Sequence, residues 1–439
     1  MKWTKRLLYT TAIISVLAIV LPFLIPLNFL VPRVEKVLSD KIHEPVAIQS
    51  MRLALLPAPG VVLEDVSVGK FQDAKSERIT VAVDISSLFA PVKVVNSITI
   101  DSLGINQDSL GRMPGWFKPT PGPQQAMIKR VVLRKTTLSL KAVNLGELNA
   151  DIELGQDGGF QHAVIEAENK SMKLSVTPAE GKNFALDFEA KQWKPPAGPA
   201  IQFDSLHAVA WVNAEMLKLK EIDGVLYGGT LHGNAQLGWH DGWRLNGKLQ
   251  SKGAEIHKLA SLFSPETSVS GKLNADARFA MRAKLAGKLF ESIAADVDFK
   301  IKDGVLYNFD LAGAVKSLSG SGTRGGQTRF DDFNGQLQVA GKAYHFRQLK
   351  ISSGLLAGEG NLDITPDKTL SGRMHVEMKG TANLISMPLQ ISGSLSSPVL
   401  RPTNAAIAGA VAGTATLGPG FGTSVGAKAG DFLDKMFGK

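Results

Sequence analysis

The sequence predicts a mainly β chain: an N-terminal transmembrane helix, then a long twisted antiparallel β-sheet with a few short helices. Three observations predict it. Leu7–Val31 runs for twenty-five residues without a charge. Beyond it, apolar and polar residues alternate with a period of two through most of the chain. Gly and Pro, 44 and 21 of 439 residues, punctuate those alternating runs as turns do.

As a helix, Leu7–Val31 would reach ~37 Å, enough for a ~30 Å hydrocarbon core with some tilt. Lys2, Lys5 and Arg6 precede it, so the positive-inside rule leaves residues 1–6 in the cytoplasm and exports the rest. In a bacterium the receiving compartment is the periplasm. A cleavable signal peptide is the competing reading, with Leu7–Leu21 as its apolar stretch. No A-x-A-like site follows, and the apolar run continues through Pro22 and Pro26 to Val31, which favours an uncleaved anchor.

After the anchor, Val34, Val37, Leu38 and Ile42 fall at helical spacing, opposite Glu35, Lys36, Asp40 and Lys41, and Pro45 ends the helix. Strand-like alternation then begins at Val46 and Ile48. Residues Arg112–Gln125 carry four prolines and read as a linker between an N-terminal module and the rest. Further on, Leu273, Ala275, Ala277, Phe279 and Met281 oppose Lys272, Asn274, Asp276, Arg278 and Ala280. Ala295, Val297, Phe299 and Ile301 oppose Asp296, Asp298, Lys300 and Lys302. Met374, Val376 and Met378 oppose Arg373, His375, Glu377 and Lys379. One apolar and one wet face is the pattern of an antiparallel sheet buried on one side. A short helix is expected at Ile256, Leu259, Leu262 and Phe263. Asp223-Gly-Val-Leu-Tyr227 recurs as Asp303-Gly-Val-Leu-Tyr307, a repeated strand–turn unit.

Composition excludes several chemistries. With no Cys, the chain has no disulfide, zinc–thiolate site or thiol nucleophile. The net charge of +9 is modest, and its densest patch, Lys129, Arg130, Arg134 and Lys135, reads as a solvated strand face rather than a nucleic-acid site. Gly320–Gly325 spells G-x-G-x-x-G but lacks the following helix that a dinucleotide site needs. Asp296 and Asp298 miss the calcium-loop spacing. None of the eight His falls at a metal-ligand spacing, and G-x-S-x-G is absent. No residue qualifies as catalytic, so the chain is read as a non-enzyme without metal or cofactor.

The order of several motifs resembles the AsmA family of bacterial envelope proteins. Thr328-Arg-Phe-Asp-Asp-Phe333, LLAGEGNLDI at Leu355–Ile364 and ISGSLSSPVLRP at Ile391–Pro402 resemble its C-terminal half. VAIQSMRLALLPAPGVVLEDVSVG at Val46–Gly69 and Ile85–Ser102 resemble its N-terminal part, with Glu44-Pro45 where relatives carry Gly. The resemblance implies a sheet curled into a hydrophobic groove, of the bridge-type lipid-transfer kind. It also implies a role in outer-membrane biogenesis, with phospholipid or another acyl-chain lipid carried or held there. Phe279, Met281, Val297, Phe299, Ile301, Met374, Val376 and Met378 are the candidate groove-lining residues.

The expected organisation is 1–6 cytoplasmic, 7–31 anchor, 32–111 N-terminal module, 112–126 Pro-rich linker, 127–402 β-groove and 403–439 tail. Expected partners are the inner membrane, lipid, and the outer membrane or an envelope protein, with no nucleic acid. The alternative is an assembly factor that regulates outer-membrane protein insertion without carrying lipid. Pro402–Ala427, uncharged and rich in Ala, Gly and Thr, reads as a flexible or partly helical cap over the far end of the groove, with membrane or partner contact as the sharper alternative. Its Gly409–Gly413 spacing suits close helix packing, and Asp431–Phe437 suits a short amphipathic helix.

Overall fold

The computed structural model of the chain describes residues 27–54, 58–110, 126–139, 145–196, 198–263, 269–317, 322–379, 384–417 and 425–430. Residues 7–26 of the expected anchor, the Pro-rich stretch 112–125 and Asp431–Phe437 lie outside them. Among the described residues no helix is long and apolar enough to cross a membrane. The described part is mainly strand with a few short helices. It forms two compact units, Met1–Ala190 and Lys191–Lys439, so the division falls within the strand Phe184–Trp193 rather than at 112–126.

In the first unit, the helix Val31–Ile42 begins with Pro in its first turn and ends at His43, whose left-handed backbone (φ 61°) turns the chain into the strand Val46–Ala54. Val34, Leu38 and Ile42 pack on Val46, Ile48, Met51, Leu63 and Val66. The polar groups of this segment close the edge of the first strand. Ser39 Oγ accepts from Val46 N at 2.9 Å, Glu35 Oε1 from Ile48 N at 2.7 Å and Asn28 Oδ1 from Met51 N at 3.0 Å. An open edge would offer those amides to another chain.

Val31 is buried in this small core, with Leu27 and Leu30 packed against it. The last five residues of the expected anchor therefore belong to the folded module.

The sheet of this unit is not purely antiparallel. Val46–Ala54, Gly60–Val68, Ala74–Val83 and Lys93–Asp101 form an antiparallel meander. Lys93–Asp101 then pairs in parallel with Ala126–Ile128 and Arg130–Ser139. Parallel neighbours need a crossover, and residues 102–125 supply the length for one. The Pro-rich stretch thus connects two neighbouring strands of one sheet. From Arg130–Ser139 onward the pairing is again antiparallel, through Phe184–Trp193.

The second unit is a plain antiparallel meander. Twelve described strands, Phe203–Val212 to Ser397–Pro402, each pair with the next in sequence. The helix Ile256–Phe263 forms where expected, with Ile256 and Leu259 against the core.

Many strands carry a bulge that resets the alternation. At Gln348 (φ 51°) the register shifts, and Tyr344 and Phe346 before it share a face with Leu349 and Ile351 after it. Lys135, Gly253 and Asp303, each with a left-handed backbone, mark register shifts in their strands likewise. Three bulged amides find the same partner, an Asn side chain on the next strand. Lys135 N donates to Asn149 Oδ1 at 3.0 Å, Gly253 N to Asn274 Oδ1 at 3.1 Å and Gln348 N to Asn361 Oδ1 at 2.9 Å.

The two D-G-V-L-Y copies share another device. A Cβ on Gly224 would stand 3.0 Å from the Phe203 ring, and one on Gly304 would stand 2.4 Å from the Phe330 ring and 2.1 Å from Ser270 O. Each glycine makes room for a buried Phe of the neighbouring strand. In the S-G-L-L-A stretch, a Cβ on Gly354 meets nothing within 4 Å.

Asn274→Ala is expected to cost about 1 kcal/mol by orphaning the Gly253 amide. Gly304→Ala is expected to cost about 1–3 kcal/mol by overpacking. Gly354→Ala should stay within about 0.5 kcal/mol of the parent. Urea denaturation of the three variants checks the order.

Candidate functional site

Register places the apolar residues of successive strands side by side across the second unit. Ala277, Val297, Leu337, Phe346 and Leu362 are successive Cα partners in one row. A parallel row runs Ala275, Phe299, Gly335. On the reverse face the partners of one row are Lys248, Arg278, Asp296, Gln338, His345 and Asp363. That face is tied by polar contacts. Gln250 donates to Asp276 at 2.8 Å, Gln336 to Asp298 at 3.1 Å, and Lys300 pairs with Asp332 at 2.6 Å.

The eight candidate residues lie on the apolar face but in two environments. Phe279, Val297, Phe299 and Met378 are half-buried, and Met281, Ile301, Met374 and Val376 are buried. Phe299 packs edge-on against Phe333 and Phe346, at ring distances of 5.6 and 6.2 Å. Toward the C-terminal strands the face is closed. The helix Leu311–Lys316 inserts Leu311, Ala314 and Val315 into one core with Met374, Val376, Met387, Leu389 and Leu400. Thr328 fixes that helix, accepting from Leu311 N at 3.0 Å and donating to Phe309 O at 2.6 Å. In T-x-F-x-x-F, then, Thr328 positions the plug, Phe330 fills the space beside Gly304, and Phe333 joins the ring cluster. Val376, fully buried, is a core residue beneath the plug, whereas Val297 and Phe299 keep accessible surface.

Sequence reasoning missed a polar cluster on the strands Leu370–Lys379 and Leu384–Ser394. Ser386 Oγ lies 2.7 Å from His375 Nε2 and donates to Glu377 Oε1 at 3.3 Å, and Lys428 Nζ reaches the same Oε1 at 3.3 Å. The residue types are those of a hydrolase triad, but the arrangement is not. The carboxylate sits by the same imidazole nitrogen as the serine (3.7 Å) instead of orienting the opposite one. Ser386 is also fully buried. The signal was cross-strand pairing, Glu377 opposite Ser386, which a single strand's alternation does not display.

Lys428 belongs to a helical turn at 425–430 that packs on the helix Asn404–Leu417. A Cβ on Gly409 would stand 2.0 Å from Gly426 O, and one on Gly430 2.1 Å from Ala405 O. The small residues of the tail therefore join two segments of this chain, with Ala406, Ala410 and Ala427 buried. The ion pair with Glu377 ties the tail to the strand Leu370–Lys379.

Other motifs resolve as surface features. Arg130 pairs with Asp151 on the adjacent strand, so the basic patch is neutralised in part by its neighbour. His232 pairs with Asp223. Asp296 and Asp298 are exposed strand residues. The described glycines of G-x-G-x-x-G lead into the strand Gln327–Ala340, not a helix. Among the described residues, no group of three His, Asp or Glu is placed to hold a metal ion.

No family model, curated protein or solved structure matches the chain.

The hydrogen bond from Lys428 holds the Glu377 carboxyl below its usual 4.5. A lowered folded-state pKa makes the contact fully stabilising above that value and weakens it as pH falls through the lowered pKa. Amide-exchange protection at 425–430, relative to the intrinsic rate at each pH, is expected to fall on acidification below 4.5. In Glu377→Gln it should be lower already at neutral pH and lose that pH step.

Proposed function

We propose that this chain is an AsmA-like envelope protein, anchored in the inner membrane by Leu7–Pro26. In this reading, the half-buried apolar face of its second unit carries or holds the acyl chains of a phospholipid between membranes. The observation that supports this best is the row from Ala277 to Leu362. Five consecutive strands keep an apolar partner at the same register position while the reverse face stays polar. Exposing an acyl chain to water costs ~0.8 kcal/mol per CH₂. A face that stays apolar from strand to strand lets a chain slide without meeting that cost at any step. At ~4.8 Å per strand, the five strands of that row supply a path on the order of 20 Å. The work is shielding, with no covalent step.

A photo-crosslinking phenylalanine at Phe279 or Phe299 is expected to capture phospholipid in native membranes, identified by mass spectrometry. The same residue at Val376, under the plug, should capture none. Val297→Lys should lower lipid capture at Phe299 severalfold without unfolding the chain. Protein adducts at both Phe positions with no lipid would overturn lipid carriage in favour of the assembly-factor reading.

A further inference from the structure

The first unit presents apolar side chains at the end of its sheet where the anchor enters. The order of contacts fixes that end. Ser39, Glu35 and Asn28 bond in turn to Val46, Ile48 and Met51, so the helix segment runs antiparallel to the first strand. Followed back through Leu27, the chain heads toward the strand end at Ala54, which pairs with Gly60, itself opposite Ala82. The turn after Val83 projects from that same end. It carries Phe89, 96% exposed, with Ile85 and Val92 also exposed, and Phe29 stands beside the incoming chain at 74% exposure.

This turn is built rather than loose. Asp84 Oδ1 accepts from Ser86 N at 3.0 Å and from Ser86 Oγ at 2.6 Å. Ser87 Oγ donates to Asp84 O at 2.7 Å and accepts from Val94 N at 2.8 Å. Lys93 Nζ closes the turn on Ala90 O at 2.7 Å. Five hydrogen bonds thus hold a short 3₁₀ turn that carries a phenylalanine in water. Lys93 begins the strand Lys93–Asp101, and Lys129 lies further along it, donating from N to Val95 O and from Nζ to Asn96 Oδ1 at 3.3 Å. A rigid aromatic tip flanked by lysines is the chemistry of a bilayer interface with anionic head groups.

We propose that Phe89, Ile85 and Val92, with Phe29, insert into the outer surface of the membrane that holds Leu7–Pro26, giving the first unit a second attachment and a fixed tilt. The proposal rests on the anchoring reading above. The chain lacks Cys, so Phe89→Cys and Leu355→Cys each create one labelling site. Leu355, 71% exposed in the second unit, is the control. Each full-length variant, labelled with an environment-sensitive dye, is reconstituted in vesicles of phosphatidylethanolamine and phosphatidylglycerol.

The expected result is a blue shift at position 89 with quenching by lipids spin-labelled near the head group, and neither at 355. Phe29→Ser with Ile85→Ser should reduce both signals at 89 while circular dichroism stays unchanged. Flotation and alkaline extraction of the unlabelled chain report the anchor separately. A chain that stays membrane-bound while position 89 reports water overturns the second attachment alone. A chain released by alkali overturns the anchor and this contact together. A blue shift in native membranes but not in protein-free vesicles would assign the turn to a protein partner and overturn the lipid contact.

Discussion

A strand buried on one side must keep every apolar residue on that side, and a one-residue slip turns the whole set outward. The strands here meet that constraint over unusual length by inserting bulges. In Ala343–Ser352 the half-buried Tyr344 and Phe346 and the buried Leu349 and Ile351 would face opposite sides of a regular strand. The left-handed Gln348 brings them together. Each bulge leaves one amide outside the ladder, and a buried or half-buried orphan amide is costly. The recurring Asn on the next strand removes that cost at Lys135, Gly253 and Gln348. Bulges also increase local twist.

The same constraint sets where the apolar face is closed. At the C-terminal strands the residues are large and contiguous, and the Leu311–Lys316 helix, fixed through Thr328 and N-capped by Asp310, covers them. Across Ala277, Val297 and Leu337 the side chains are half-buried. Gly247, opposite Phe279, leaves space for that ring to lie down, and Gly335, opposite Phe299, leaves space for Leu349. The face is thus graded from a closed core to partly open rows.

The first unit meets a different demand. Its first strand sits at a sheet edge, and the helix Val31–Ile42 both covers the apolar side and bonds the edge amides through Asn28, Glu35 and Ser39. Three polar side chains thereby couple the direction of the incoming chain to the orientation of the sheet. The parallel pairing of Lys93–Asp101 with Arg130–Ser139 consolidates that unit across the proline-rich stretch.

By itself the sequence determined strand character, the apolar and wet faces around Val297 and Asp296, the helices Val31–Ile42 and Ile256–Phe263, and the lack of thiol chemistry. These are legible because period two and period 3.6 are local, carried by residues within one element. Only the tertiary structure decided which apolar residues stay accessible: Phe299 and Val376 carry the same alternation, yet one keeps surface and the other lies under a helix from sixty residues away in sequence. It alone decided the parallel crossover, the Ser386–His375–Glu377 cluster and the packing of Gly409 on Gly426, because each depends on partners distant in the chain. The bulges stand between the two. Their trace is visible as apolar residues three apart, Phe346 to Leu349, but only the ladder of hydrogen bonds shows that the extra residue bends the strand rather than ending it.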